Sequence, residues 1–191
     1  MVASPAIPGL LLCFSATVLL IFVCVSVPTW DKIYFLTAGT GASEIRYGVF
    51  GFTGSSIAIG YEFQSAGASD TNLNPTIIHN LTKALILHPI AAGLAGLAFL
   101  FGLCGASYHR VGTILMTLLS GLAGIVTLVV FVIDMALFGV TRNRLRDAGV
   151  PAQYGNANWL TLGAFVALLL GFCASACGVF GRYSRRRKDT Y

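Results

Sequence analysis

The sequence predicts a mainly α-helical membrane protein with some β structure: four transmembrane helices in a bundle, capped by a small extracellular antiparallel β-sheet. Three observations predict it. Four apolar stretches, residues 9–27, 84–106, 111–137 and 158–180, each come near the ~20 residues that an α-helix needs to cross ~30 Å of hydrocarbon. Only 10% of the 191 residues are charged and 56% are hydrophobic, whereas a soluble domain carries about 25% charged residues. The gaps are unequal, so that 29–83 is the one long segment expected outside the bilayer.

The first stretch has no charge before Asp31, and Val25-Ser26-Val27-Pro28 is a poor cleavage site, so it reads as a retained helix rather than a signal peptide. In the extracellular loop 29–83, Ile57, Ile59, Tyr61 and Phe63 alternate with smaller or polar residues, which gives a strand with one apolar face. A second strand is expected around Tyr47 and Val49 and a third over 32–36, with turns at 37–41 and 53–55. Together they predict a three-stranded meander lying on the helix tops. Residues 65–75 read as irregular, and 76–83 as a helical lead-in to the second span. Asn80-Leu81-Thr82 is a candidate glycosylation sequon at Asn80.

No breaker interrupts the third helical pattern from Val111 to Ala148, and Gly149 then Pro151 end it. At 1.5 Å per residue that is on the order of 55 Å, longer than a span requires. Residues 138–157 are therefore an outer helix extension and loop, and 181–191 a cytosolic tail. Five of the twelve basic residues lie in 182–188, which anchors that end on the cytosolic side and, by parity of four spans, both termini with it. Arg142, Arg144 and Arg146 oppose this count but ride on the helix extension. Nucleic-acid binding is not indicated, because the basic residues form no stripe on a soluble element.

All five cysteines (Cys13, Cys24, Cys104, Cys173, Cys177) fall within the apolar stretches, so no disulfide framework is predicted for the loop. Small residues recur at helical spacing in the spans, as Ala92/Gly96, Ser120/Gly124, Gly171/Ser175 and Ala174/Gly178. Such pairs let helices pack closely in lipid, within this bundle or in self-association.

No catalytic, cofactor or metal motif is present: HExxH, GxSxG, P-loop and strand-borne GxGxxG patterns are all missing. Asp134 is the one acidic residue within the spans, with no histidine at metal spacing. It reads as a carboxylate near the outer boundary, satisfied by a neighbouring helix or water, with an ion or proton relay as the sharper alternative. His88, followed by Pro89, is expected at interface depth as a polar anchor and is the candidate pH-sensitive residue; His79 adds little. Cys173 and Cys177 share a helix face beside the basic run and are candidate palmitoylation sites, or small packing residues.

Five strings carry a family resemblance: WDKIYFL (30–36), YGVFGF (47–52), LHPIAAG (87–93), DMALF (134–138) and QYGNANWL (153–160). In this order they resemble fungal PalI-type membrane proteins, which are related to cortical patch proteins and more distantly to claudins. The resemblance implies a claudin-like outline and a part in ambient-pH (Pal/Rim) signalling. Where many relatives carry a cysteine pair in the first loop, this chain has Phe52-Thr53-Gly54-Ser55-Ser56, so that disulfide is not implied.

The expected function is therefore non-enzymatic: a multi-pass plasma-membrane accessory protein that assists a seven-span, PalH-type alkaline-pH sensor. Its partners would be membrane lipids, that sensor and a further copy of itself. The expected contact surface comprises Trp30, Tyr47, Phe50, Phe52, Tyr154 and Asn156. A cortical organiser of membrane domains or cell wall is the alternative within the class. A small channel or transporter, motivated by Asp134, is the alternative outside it.

Overall fold

The computed structural model describes residues 6–63, 76–107 and 110–188. The polar stretch 65–75 and the middle of the 107–110 turn lie outside the described residues. So do the side chains from Cys177 onward, the 182–188 basic run among them.

Helix α1 spans Ala6–Cys24 and α2 Thr76–Ala84; α3 spans Leu87–Ser107, α4 Arg110–Asp147 and α5 Ala157–Lys188. Among the described residues, four helices are long and apolar enough to cross a membrane, and each buries one stripe while its other faces carry exposed large apolar side chains. On α1 the stripe is Cys13, Ala16, Leu20 and Val23; on α3 it is His88, Ala91, Ala95, Ala98 and Gly102. On α4 it runs Met116, Ser120, Ala123, Thr127, Val130, Asp134, Leu137 and Thr141, and on α5 Ala157, Thr161, Ala164, Leu168, Gly171 and Ser175. Steps of three and four keep these residues on one face. Most are small, which suits a lipid solvent: burial there gains little hydrophobic energy, so close packing has to hold the helices. The neighbours are α1 with α3, α3 with α4, α4 with α5, and α5 with α1, a closed ring of four.

Helix α4 is 38 residues long, about 57 Å at 1.5 Å per residue, and so rises well above the hydrocarbon. Its end is built for a reversal. The Val150 N–H donates to Leu145 O at 2.9 Å and the Gly149 N–H to Arg146 O at 2.9 Å, with Gly149 at φ 79°. This is a Schellman cap, and Val150 and Leu145 bury together beneath it. Pro151 then leads the chain back over the bundle.

The sheet has three antiparallel strands in the order β2-β1-β3: β1 is Leu36–Ala38, β2 Ile45–Tyr47 and β3 Ala152–Tyr154. Leu36 pairs with Tyr47 on one side and with Tyr154 on the other. The small antiparallel sheet is as expected, but its membership corrects the expected meander. The third strand comes from the other loop, and 57–63 is no strand. The reason lies in the edges. Beyond β2 the chain folds back at once, with a bridge between Tyr47 and Phe52 and the Thr53 N–H donating to Arg46 O at 2.9 Å. That fold covers the edge which 57–63 would need.

Gly155 allows β3 to reach β1, since a Cβ there would run into the Tyr34 carbonyl. Gly48 likewise lies flat against the Val27 carbonyl. Beneath the sheet, Phe35, Leu36, Tyr47, Val49, Tyr61 and Phe63 pack with Leu85, Leu137, Phe138 and Leu145 in one buried cluster. The cap and the helix tops thus share a core.

Candidate functional site

At the base of that core lie two residues from neighbouring spans. His88 sits in the first turn of α3 and Asp134 on the buried stripe of α4, both fully buried, with Nε2 and Oδ2 3.1 Å apart. Asp134, expected to be satisfied by a neighbouring helix or water, meets His88 of the neighbouring α3, and the histidine expected as an interfacial anchor is buried against it: the fold makes the two one pair. The other ring nitrogen, Nδ1, lies 3.1 Å from Leu85 O. A carbonyl can only accept, so Nδ1 carries a hydrogen. The contact with Asp134 then holds one proton, on Nε2 or on Oδ2. As imidazolium with carboxylate, or imidazole with carboxylic acid, the pair is net neutral. That balance is what allows two ionisable groups to be buried in a span.

Phe35 forms the lid of this pair. Its ring meets the His88 ring edge-on at 5.4 Å and stacks on Phe138 at 4.9 Å, with 10° between the planes. Its carbonyl accepts from the Gly155 N–H at 2.8 Å and from Asn158 Nδ2 at 2.9 Å, and its N–H donates to Tyr47 O at 2.7 Å. One residue of the cap therefore touches α3, α4, α5 and the residue that follows β3. Asp134 Oδ1 and Asn158 Oδ1 are buried and accept no hydrogen bond from the described residues.

Above the lid, Tyr61 donates its hydroxyl to Gly48 O at 2.8 Å, and its own carbonyl accepts from Thr82 Oγ1 at 3.1 Å. Burial pushes the pKa values of Tyr61 and Tyr47 above the ordinary tyrosine value. Arg46 donates from Nε to Glu44 Oε1 at 2.9 Å and from Nη1 to Asp31 O at 2.9 Å, with its guanidinium over the Tyr34 ring. The hydrogen bond to Glu44 raises its pKa.

The residues expected to contact a partner separate into groups. Trp30 and Tyr154 are exposed, while Phe50 and Phe52 are half-buried against the core. Tyr47 is fully buried and offers no contact surface, because its ring packs against those of Phe63, Tyr61 and Phe52. Asn156 spends its amide on the chain itself, donating to Lys32 O at 2.9 Å and accepting from the Tyr34 N–H at 3.2 Å. Asn80 is exposed on α2, whereas Thr82 of its sequon is buried. Cys173 is exposed among lipid-facing residues of α5, and the Cys177 side chain lies outside the described residues. Sequence reasoning missed Phe35 and Asn158 as site residues, although both stand inside the strings that carried the resemblance.

Residues 5–174 match the SUR7/PalI family. This chain belongs to that family. Among curated proteins it is similar to the pH-response regulator protein palI/RIM9 of Emericella nidulans, 36% identical over 103 residues. The alignment takes in 49% of this chain and 18% of the relative, so most of the relative's length lies outside it. In this SUR7/PalI member, the buried pair, its Phe35 lid and Asn158 all lie inside the matched residues.

Proposed function

We propose that this multi-pass membrane protein is a non-enzymatic accessory of ambient-pH signalling at the plasma membrane, where it helps a seven-span alkaline-pH sensor reach or hold its place. The observation that carries the reading is the similarity to a curated pH-response regulator within a family matched over most of the chain. The geometry supports it in two ways. The cap is bolted to the spans through Phe35 and the His88–Asp134 pair, which suits a rigid partner surface. Asp134, the motive for a conduit, is paired with His88 beneath that lid. In this reading the cap faces outward, both termini are cytosolic, and Trp30, Tyr154, Phe50 and Phe52 make the outer contacts. Cys173 and Cys177 are the sites for acylation and Asn80 for a glycan.

The test is expression in a fungal strain lacking its own pH-response family member, with proximity labelling in neutral and alkaline medium. Restored alkaline growth with the seven-span sensor enriched is the expected result. Correct delivery to the plasma membrane with no sensor enriched would overturn the signalling role. The cortical reading would then lead.

A further inference from the structure

Ile57 and Ile59 lie outside the four spans, yet they are 68% and 57% exposed. Ile57 is more exposed than Val111 on a span face, at 65%. Both follow the hairpin of β2 in a segment with fixed ends. The Ala58 N–H donates to Phe50 O at 2.9 Å, and the Tyr61 carbonyl is held by Thr82. Between them Gly60, at φ 75°, lies on the aliphatic stem of Lys83, where any Cβ would collide with it.

That contact sets the depth of the segment. Lys83 is in the last turn of α2, and α3 begins at Leu87. Ile86 and Ile90, 37% and 51% exposed, open the lipid-facing row of that span. Gly60, the residue after Ile59, therefore stands beside the chain's entry into the α3 span. Two of the other three spans carry a tryptophan at this end. Trp30 rests on Phe22 near the end of α1, with centroids 5.9 Å apart, and Trp159 is 65% exposed in the first turn of α5. Tryptophan favours the zone between headgroups and acyl chains. Lys83 is exposed and has its stem on Gly60; lysines at a membrane boundary lay the stem on apolar surface and turn the ammonium to lipid phosphates.

We propose that residues 57–60 form a foot set into the bilayer leaflet on the cap side. Ile57 and Ile59 reach the acyl boundary, and Lys83 meets a phospholipid phosphate. The occupant is lipid because Gly60 of this segment rests on Lys83, three residues before Ile86 opens the lipid-facing row of α3. The foot gives the cap a footing beside α3 and fixes the cap's height over the membrane. It does not depend on the signalling role.

The test uses the full chain, one copy per phosphatidylcholine nanodisc, with its five cysteines replaced. An environment-sensitive NBD label is placed at Ile57→Cys or Ile59→Cys. Ile90→Cys serves as the lipid control, and Thr40→Cys, exposed in the β1–β2 turn, as the water control. The expected result is a blue-shifted emission at 57 and 59, quenched by 5-doxyl lipid as at 90. Emission like that of Thr40→Cys overturns the proposal, and so does a blue shift without doxyl quenching, which would mean burial by protein. Should the cysteine-free chain not fold, Ile57→Trp in a Trp30→Phe/Trp159→Phe background gives the same reading with brominated lipid.

Discussion

His88 and Asp134 contribute to stability as a pair and not singly. Removing one member leaves the other buried without its partner, at a cost of about 3–5 kcal/mol, whereas replacing both by apolar residues of similar size is often close to neutral. His88→Leu and Asp134→Leu should each lower the thermal midpoint of the detergent-purified protein strongly. The double variant should recover much of that loss, and a cycle of the four proteins measures the coupling. With sensing assigned to the partner, His88→Gln should lower the amplitude of the cellular pH response and leave its midpoint in place. A shifted midpoint would make the histidine itself the sensor. Tyr61 and Tyr47 supply a second dependence. Their pKa values are raised in the fold, so the unfolded chain loses those protons first, near pH 10. Stability is then fully present below about pH 10 and falls as pH rises above it. Tyrosinate absorbance followed with proteolysis of the cap should show ionisation and loosening arriving together, well above neutrality.

At the scale of elements, the cap depends on two glycines that act differently. Gly155 permits a close approach, so Gly155→Ala pushes a methyl into the Tyr34 carbonyl; overpacking of this kind costs typically about 1–3 kcal/mol. The expected outcome is a protease-sensitive cap over intact spans, read by limited proteolysis. Gly149 instead supplies a left-handed backbone with open space around it. Gly149→Ala should therefore cost only about 1–2 kcal/mol and leave the sheet formed. The elements differ in how legible they were. The long α4 showed in the sequence because nothing interrupts its pattern before Gly149 and Pro151. The strand expected at 57–63 failed because alternation says which side chains share a face but not whether a sheet edge is free. Here Phe52 and Thr53 had already covered it.

Over the whole molecule, the orientation and the cap's exposure can be checked together. With the cap outward, Thr40→Cys should react with an impermeant maleimide on intact spheroplasts, while a cysteine placed in the 182–188 tail should react only after permeabilisation. The candidate site was only half legible in advance. His88 and Asp134 stood out as polar residues in apolar stretches. Each also stands in register with a run of small residues, Ala91, Ala95 and Ala98 for the first, Ser120, Ala123 and Thr127 for the second. That register was the available signal that both face the bundle interior. It could not say that they face each other, because the two are 46 positions apart in sequence.

By itself the sequence determined the number of spans, the position of the small sheet on the long-loop side and the family, since these rest on composition, local periodicity and strings of residues. The tertiary structure alone decided which strand completes the sheet, that Tyr47 is core rather than surface, and that His88 and Asp134 share one proton under Phe35. Those outcomes depend on which faces and edges meet once α4 has turned back at Gly149, and a periodicity carries no record of its partner.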